Sequence, residues 1–120
     1  MAKNESLILL KPRRESVLRS EGMSGVLELL FFKDPGIAKD ALELANYIKE
    51  RQRSGDYYRV EEWRDYIKKA EITLSIYYSI INKLKGTGII RRETGNLVIS
   101  DDFPRILNEI VQIYYAWRAV

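Results

Sequence analysis

Apolar positions recur with a helical period in four places along the chain. Ile37, Ala41, Leu44, Ala45 and Ile48 form the clearest stripe, on one face of a helix. Asp34-Pro35 in front of it supplies an N-cap followed by proline at the first helical position, and Ser54-Gly55-Asp56 ends it after about Arg53. Trp63, Tyr66, Ile67 and Ala70 make a second stripe, opened by Glu61-Glu62, whose carboxylates suit the positive end of the helix dipole. After a break at Glu71–Thr73, a third helix carries Tyr77, Ile80, Ile81 and Leu84 to about Lys85 and closes at Gly86-Thr87-Gly88. The fourth starts at Asp101-Asp102 and Pro104 and reaches the end of the chain. A weaker stripe, Val26, Leu29 and Leu30, predicts a helix over about Gly22–Phe32.

Between these helices the period changes. Tyr57-Tyr58-Arg59-Val60 is short and β-prone. Ile89–Glu93 and Leu97–Ser100 are two further β-prone runs joined by Thr94-Gly95-Asn96, a hairpin signal. Residues 6–10, Ser-Leu-Ile-Leu-Leu, are either a strand or one helical turn, stopped by Pro12. From residue 36 the order is helix, short strand, helix, helix, hairpin, helix. The expected class is mainly α with a small β-hairpin wing, in three parts: an arm and extra helix over 1–35, a compact unit over 36–100, and a C-terminal helix over 101–120.

The stretch Ile72 to Arg92 resembles the recognition helix and first wing strand of winged helix-turn-helix DNA-binding proteins. Tyr77, Ile80, Ile81 and Leu84 stand at the family's apolar places, Gly88 at its glycine, Ile89 and Ile90 at the following apolar pair, and Arg91 and Arg92 at the basic pair. The resemblance implies a winged helix-turn-helix with extra N-terminal and C-terminal helices, binding double-stranded DNA. It implies less about function than about fold, because winged helices also serve as protein–protein modules.

At 100° per residue the apolar positions of this helix cluster within about 100°, leaving Ser75, Tyr78, Ser79 and Asn82 on the opposite face. Small polar groups there suit base edges and phosphates. Thr73 at the start of the helix and Lys83 and Lys85 flanking the face complete a candidate DNA-binding set with Arg91 and Arg92. On a flat wing Arg91 and Arg92 point to opposite sides, so at most one of them faces a duplex. Leu74 and Ile76 at the edges of the face are more apolar than a reading face needs. They pack inside, meet a thymine methyl, or belong to a protein interface.

Charge supports an anionic partner only by its distribution. The net charge is +3. Residues 1–14 hold Lys3, Lys11, Arg13 and Arg14 against Glu5, and residues 72–100 hold Lys83, Lys85, Arg91 and Arg92 against Glu93, an excess of three positive charges in each. The N-terminal arm either adds phosphate contacts or is a solvated tail.

The last helix carries a different pattern. Phe103, Ile106, Ile110, Ile113, Trp117 and Val120 follow the spacing of a coiled-coil seam, with Leu107, Val111 and Tyr114 as a second stripe beside it. One stripe could cover the domain's own core while the other meets a second copy. The expected dimer interface is Phe103, Ile106, Ile110, Ile113, Tyr114 and Trp117, and a two-fold pair would place two recognition helices about one duplex turn apart.

The 120 residues, 46% of them hydrophobic and 31% charged, suit one small globular domain. The absence of both Cys and His excludes disulfides, Cys/His zinc sites, thiolate nucleophiles and imidazole bases. Gly86-x-Gly88 lacks the rest of a phosphate loop, and the acidic pairs sit where helix starts explain them, so no enzyme, metal or cofactor is expected. The abundance of Ile and charge with little Gln leans towards a thermophile, and the DNA-binding reading towards a transcriptional regulator of an archaeon or its mobile elements. No apolar run is long enough to span a bilayer, and the start does not read as a secretory signal, so a cytoplasmic location is expected.

Overall fold

The computed structural model describes residues 15–31 and 35–120. The run over residues 6–10, the basic arm, and the Asp34 cap lie outside them. Six helices and one small sheet follow in the order α1 (Glu15–Glu21), α2 (Met23–Leu30), α3 (Pro35–Ser54), β1 (Tyr58–Arg59), α4 (Trp63–Ala70), α5 (Leu74–Thr87), β2 (Ile90–Glu93), β3 (Asn96–Ile99) and α6 (Asp102–Ala119). A single 3₁₀ turn, Val60–Glu62, leads into α4.

The helix expected over about Gly22–Phe32 is α2, and α1 in front of it is an additional helix that the apolar spacing does not predict. Gly22, at a φ of 64°, separates them, a backbone angle that L side chains rarely adopt. The stripe is also shifted: Leu27 and Phe31 are the fully buried residues, one helical turn apart, whereas Val26, Leu29 and Leu30 are partly exposed. They pack against α3, whose Ala38, Ala41, Leu44, Ala45 and Ile48 form the centre of the core.

The sheet has the order β1-β3-β2, antiparallel throughout. Its hairpin turn is two residues, Thr94-Gly95, with φ of 52° and 82°, and Asn96 already pairs with Glu93 in the ladder. Two consecutive positive φ values match the right-handed twist of the strands, the turn geometry that favours Gly at the second place. β1 is only two residues because Val60 turns into the 3₁₀ segment, yet Tyr58 pairs with Leu97 and the Val60 amide donates to the Gly95 carbonyl at 2.9 Å. Gln52 on α3 receives the Ile99 amide at 2.8 Å and so ties the sheet to the central helix.

Four tyrosines fill the junction of α3, β1, α4 and α5. Tyr47, Tyr58, Tyr66 and Tyr77 have neighbouring ring centroids 5.2–6.1 Å apart. The hydroxyls of Tyr58 and Tyr77 share a buried hydrogen bond at 2.7 Å. Burial pushes the Tyr66 hydroxyl up to about 12. Below this cluster Arg51 reaches from α3 to Glu62 through two contacts of 3.0 Å, and donates to the Tyr57 carbonyl at 3.0 Å. The Arg51 guanidinium holds the Glu62 carboxyl below its usual range.

The last helix departs most from expectation. Only its first turn touches the rest of the protein: the Phe103 amide donates to the Gly88 carbonyl at 3.0 Å, and the Phe103 ring packs against the core. From Pro104 to Val120 every residue is exposed, so beyond Phe103 neither apolar stripe covers the domain.

Candidate nucleic-acid interface

α4 and α5 form a helix–turn–helix. Glu71, in the left-handed region at a φ of 57°, ends α4, and Thr73 caps α5 by accepting the Ile76 amide at 3.2 Å. The register of α5 is the one its apolar spacing predicts: Tyr77, Ile80, Ile81 and Leu84 are buried. Gly88, at a φ of 85°, reverses the chain into the hairpin with its own backbone against Asp102 and Phe103.

Burying that stripe turns Ser75, Tyr78 and Asn82 out to solvent, with Ser79 half-buried beside them. Tyr78, Asn82 and Lys85 line one wall of a cleft of about 270 Å³ between α5 and the wing. Arg92 and Leu97 of the hairpin line the facing wall, and Val60 and Trp63 close one end. Among the described residues no carboxylate lines it, and the cations Lys85 and Arg92 do.

The other predicted cations go elsewhere. Lys83 turns back towards α2 and places its ammonium 5.1 Å from the centre of the Phe31 ring. Arg91 lies on the opposite side of β2 from Arg92, two contacts of 2.8 and 3.2 Å holding it to Glu93, with a longer one of 3.4 Å to the Ser100 hydroxyl. The alternation of a strand therefore sorts the basic pair: Arg92 joins the recognition-helix face and Arg91 does not. Thr73 is exposed, but its hydroxyl oxygen is engaged in the cap. Ile76 packs against the core, and Leu74 stays exposed at the start of α5.

Trp63 is the residue whose place in this cleft its spacing conceals. It falls on the apolar stripe of α4 and packs partly on the core, yet it also lines the cleft with Tyr78, and the Arg64 guanidinium stacks 4.9 Å from its ring.

The helix–turn–helix, the three-stranded sheet and the hairpin beside the second helix define a winged-helix-like protein. The chain belongs to an archaeal protein family, whose model matches residues 20–120. No curated protein and no solved structure is significantly similar to it. Among the described residues no helix is long and apolar enough to cross a membrane.

Proposed function

We propose that this protein binds duplex DNA sequence-specifically, as a homodimer, and regulates transcription. In this reading α5 enters the major groove with Ser75, Tyr78, Ser79 and Asn82 towards the base edges, and Lys85 and Arg92 hold phosphates on either side. The observation that carries it is the convergence of Tyr78, Asn82, Lys85 and Arg92 on one cleft between helix and wing, with no carboxylate among its described lining residues. Positive groups with no nearby carboxylate keep their full attraction for a polyanion, which Arg91, neutralised by Glu93, does not. The dimer is supported by α6, whose exposed apolar residues include Ile106, Ile110, Ile113, Tyr114 and Trp117. A cytoplasmic setting goes with this function.

Selection from a pool of random duplexes at low and high salt, followed by sequencing, tests the proposal. An enriched inverted repeat, retained at low salt and released as salt rises, is the expected result. No retention at low salt overturns it and leaves the winged-helix unit as a protein-interaction module, the reading that the exposed Leu74 on α5 would then favour.

A further inference from the structure

An exposed 18-residue helix rich in β-branched and aromatic residues is poorly stable alone in water, because propensity supplies little and no tertiary packing adds to it. Trp117 is 71% exposed and Ile113 64%, on a helix that leaves the domain after one turn. Its occupant can be read from the order of its side chains. The seam Phe103, Ile106, Ile110, Ile113, Trp117, Val120 has the same spacing in both directions. Reversed upon itself, it faces Ile106 with the partner's Trp117 and Ile110 with the partner's Ile113, while Phe103, packed on its own core, stands level with the partner's Val120. The Trp117 ring then meets an aliphatic chain, whereas a parallel pair would set Trp117 against the partner's Trp117.

The flanks decide between the two orientations. Leu107 and Tyr114 lie along one side of the seam, and Asp102, Glu109 and Ala116 along the other. In a parallel pair opposite flanks meet, so Asp102, already paired with Arg105, and Glu109 would lie against the apolar side chains of the partner's Leu107 and Tyr114. In an antiparallel pair like flanks meet. Leu107 then covers the partner's Tyr114, Glu109 faces the partner's small Ala116, and the helix dipoles oppose.

We infer that α6 pairs with α6 of a second copy of this chain as an antiparallel two-helix coil, which sets the two winged units at opposite ends. This rests on the dimeric part of the proposed function and adds its geometry. The natural chain has no Cys, so a Val120→Cys variant carries a single thiol for a spin label. Across an antiparallel pair the two labels are separated by the rise of the helix from residue 103 to residue 120, about 26 Å; across a parallel pair they are about 10 Å apart. The expected results are a dimer by sedimentation equilibrium and a label separation near the longer distance. A mixture of Ile106→Cys and Trp117→Cys chains is expected to form the mixed disulfide, and neither variant alone to cross-link. Ile113→Glu is expected to weaken the dimer at least tenfold while the winged unit keeps its circular dichroism, since that side chain is exposed and outside the core cluster.

A monomeric natural chain, a label separation near 10 Å, or an Ile113→Glu chain that stays fully dimeric each overturns the inference. The DNA reading fails separately: an antiparallel dimer that ignores duplex removes DNA binding and leaves the pairing, and a monomer that selects a sequence does the reverse.

Discussion

Arg91 and Arg92 are neighbours in sequence with the same charge, and the structure gives them different surroundings. Both are exposed, so replacing either with Ala changes folding stability by no more than about 0.5 kcal/mol. Their effects on DNA binding are expected to differ. Lys85 and Arg92 are the two cations bordering the cleft in each copy, four in a dimer. At about 0.9 counterions released per phosphate neutralised, four contacts correspond to a slope of about −3.6 in log K against log salt. Arg92→Ala removes two of the four and brings the slope to about −1.8. Between about 50 and 200 mM salt the natural dimer would then weaken roughly 150-fold and the variant roughly 12-fold. Arg91→Ala, which removes a guanidinium already held by Glu93 on the other side of β2, is expected to leave the slope unchanged. Fluorescence anisotropy of a labelled duplex across that salt range measures both slopes. Equal slopes for the two variants, or an unchanged slope for Arg92→Ala, would refute the assignment of the wing.

Three further outcomes follow from the packing. Tyr58→Phe leaves the buried Tyr77 hydroxyl without its partner and is expected to cost about 1–3 kcal/mol in chemical denaturation; the Tyr58→Phe/Tyr77→Phe double variant recovers part of this, and strict additivity would show that the 2.7 Å contact contributes nothing. Gly88→Ala forces a side chain into a φ of 85° with its Cβ 3.0 Å from Asp102 Cβ and the Phe103 amide, a loss of more than about 1 kcal/mol, while Gly86→Ala, with open space around it in the helix, is expected to be neutral or stabilising; thermal melts of the pair check this. Glu62 is held below its usual pKa by Arg51, so its contribution is fully present above about pH 4.5 and is lost as pH falls through the lowered value. Urea unfolding of the natural chain and Glu62→Gln over that acid range should show a shallower pH dependence in the variant, and identical curves would remove the ion pair from the account.

Much of the local structure was legible because short-range periodicity is set by the chain itself. The stripe Tyr77, Ile80, Ile81, Leu84 is the buried face of α5, Ala41, Leu44, Ala45 and Ile48 of the expected stripe are that of α3 with Ala38 buried in place of the half-buried Ile37, and the two β-prone runs around Gly95 are a hairpin. The candidate reading face was legible as the complement of the first stripe, since a helix that buries one side must expose the other. The stripe Val26, Leu29, Leu30 leaves out the buried Leu27 and Phe31, because all five are apolar and only the position of α3 selects which of them is covered.

What tertiary structure alone decided lies between distant residues. The pairing of Tyr58 with Leu97 bridges 39 positions, a contact that no local spacing encodes. Lys83 and Lys85 are alike in sequence, but α2 places the Phe31 ring beneath one and the wing places Arg92 near the other. Trp63 and Tyr78 line one cleft because α4, α5 and the hairpin close around it. The sequence by itself determined that α6 is a helix with two apolar stripes, since periodicity needs no partner. That the domain leaves both stripes uncovered beyond Phe103 depends on the direction in which Gly88 and Phe103 launch the helix, and direction is a property of packing in three dimensions.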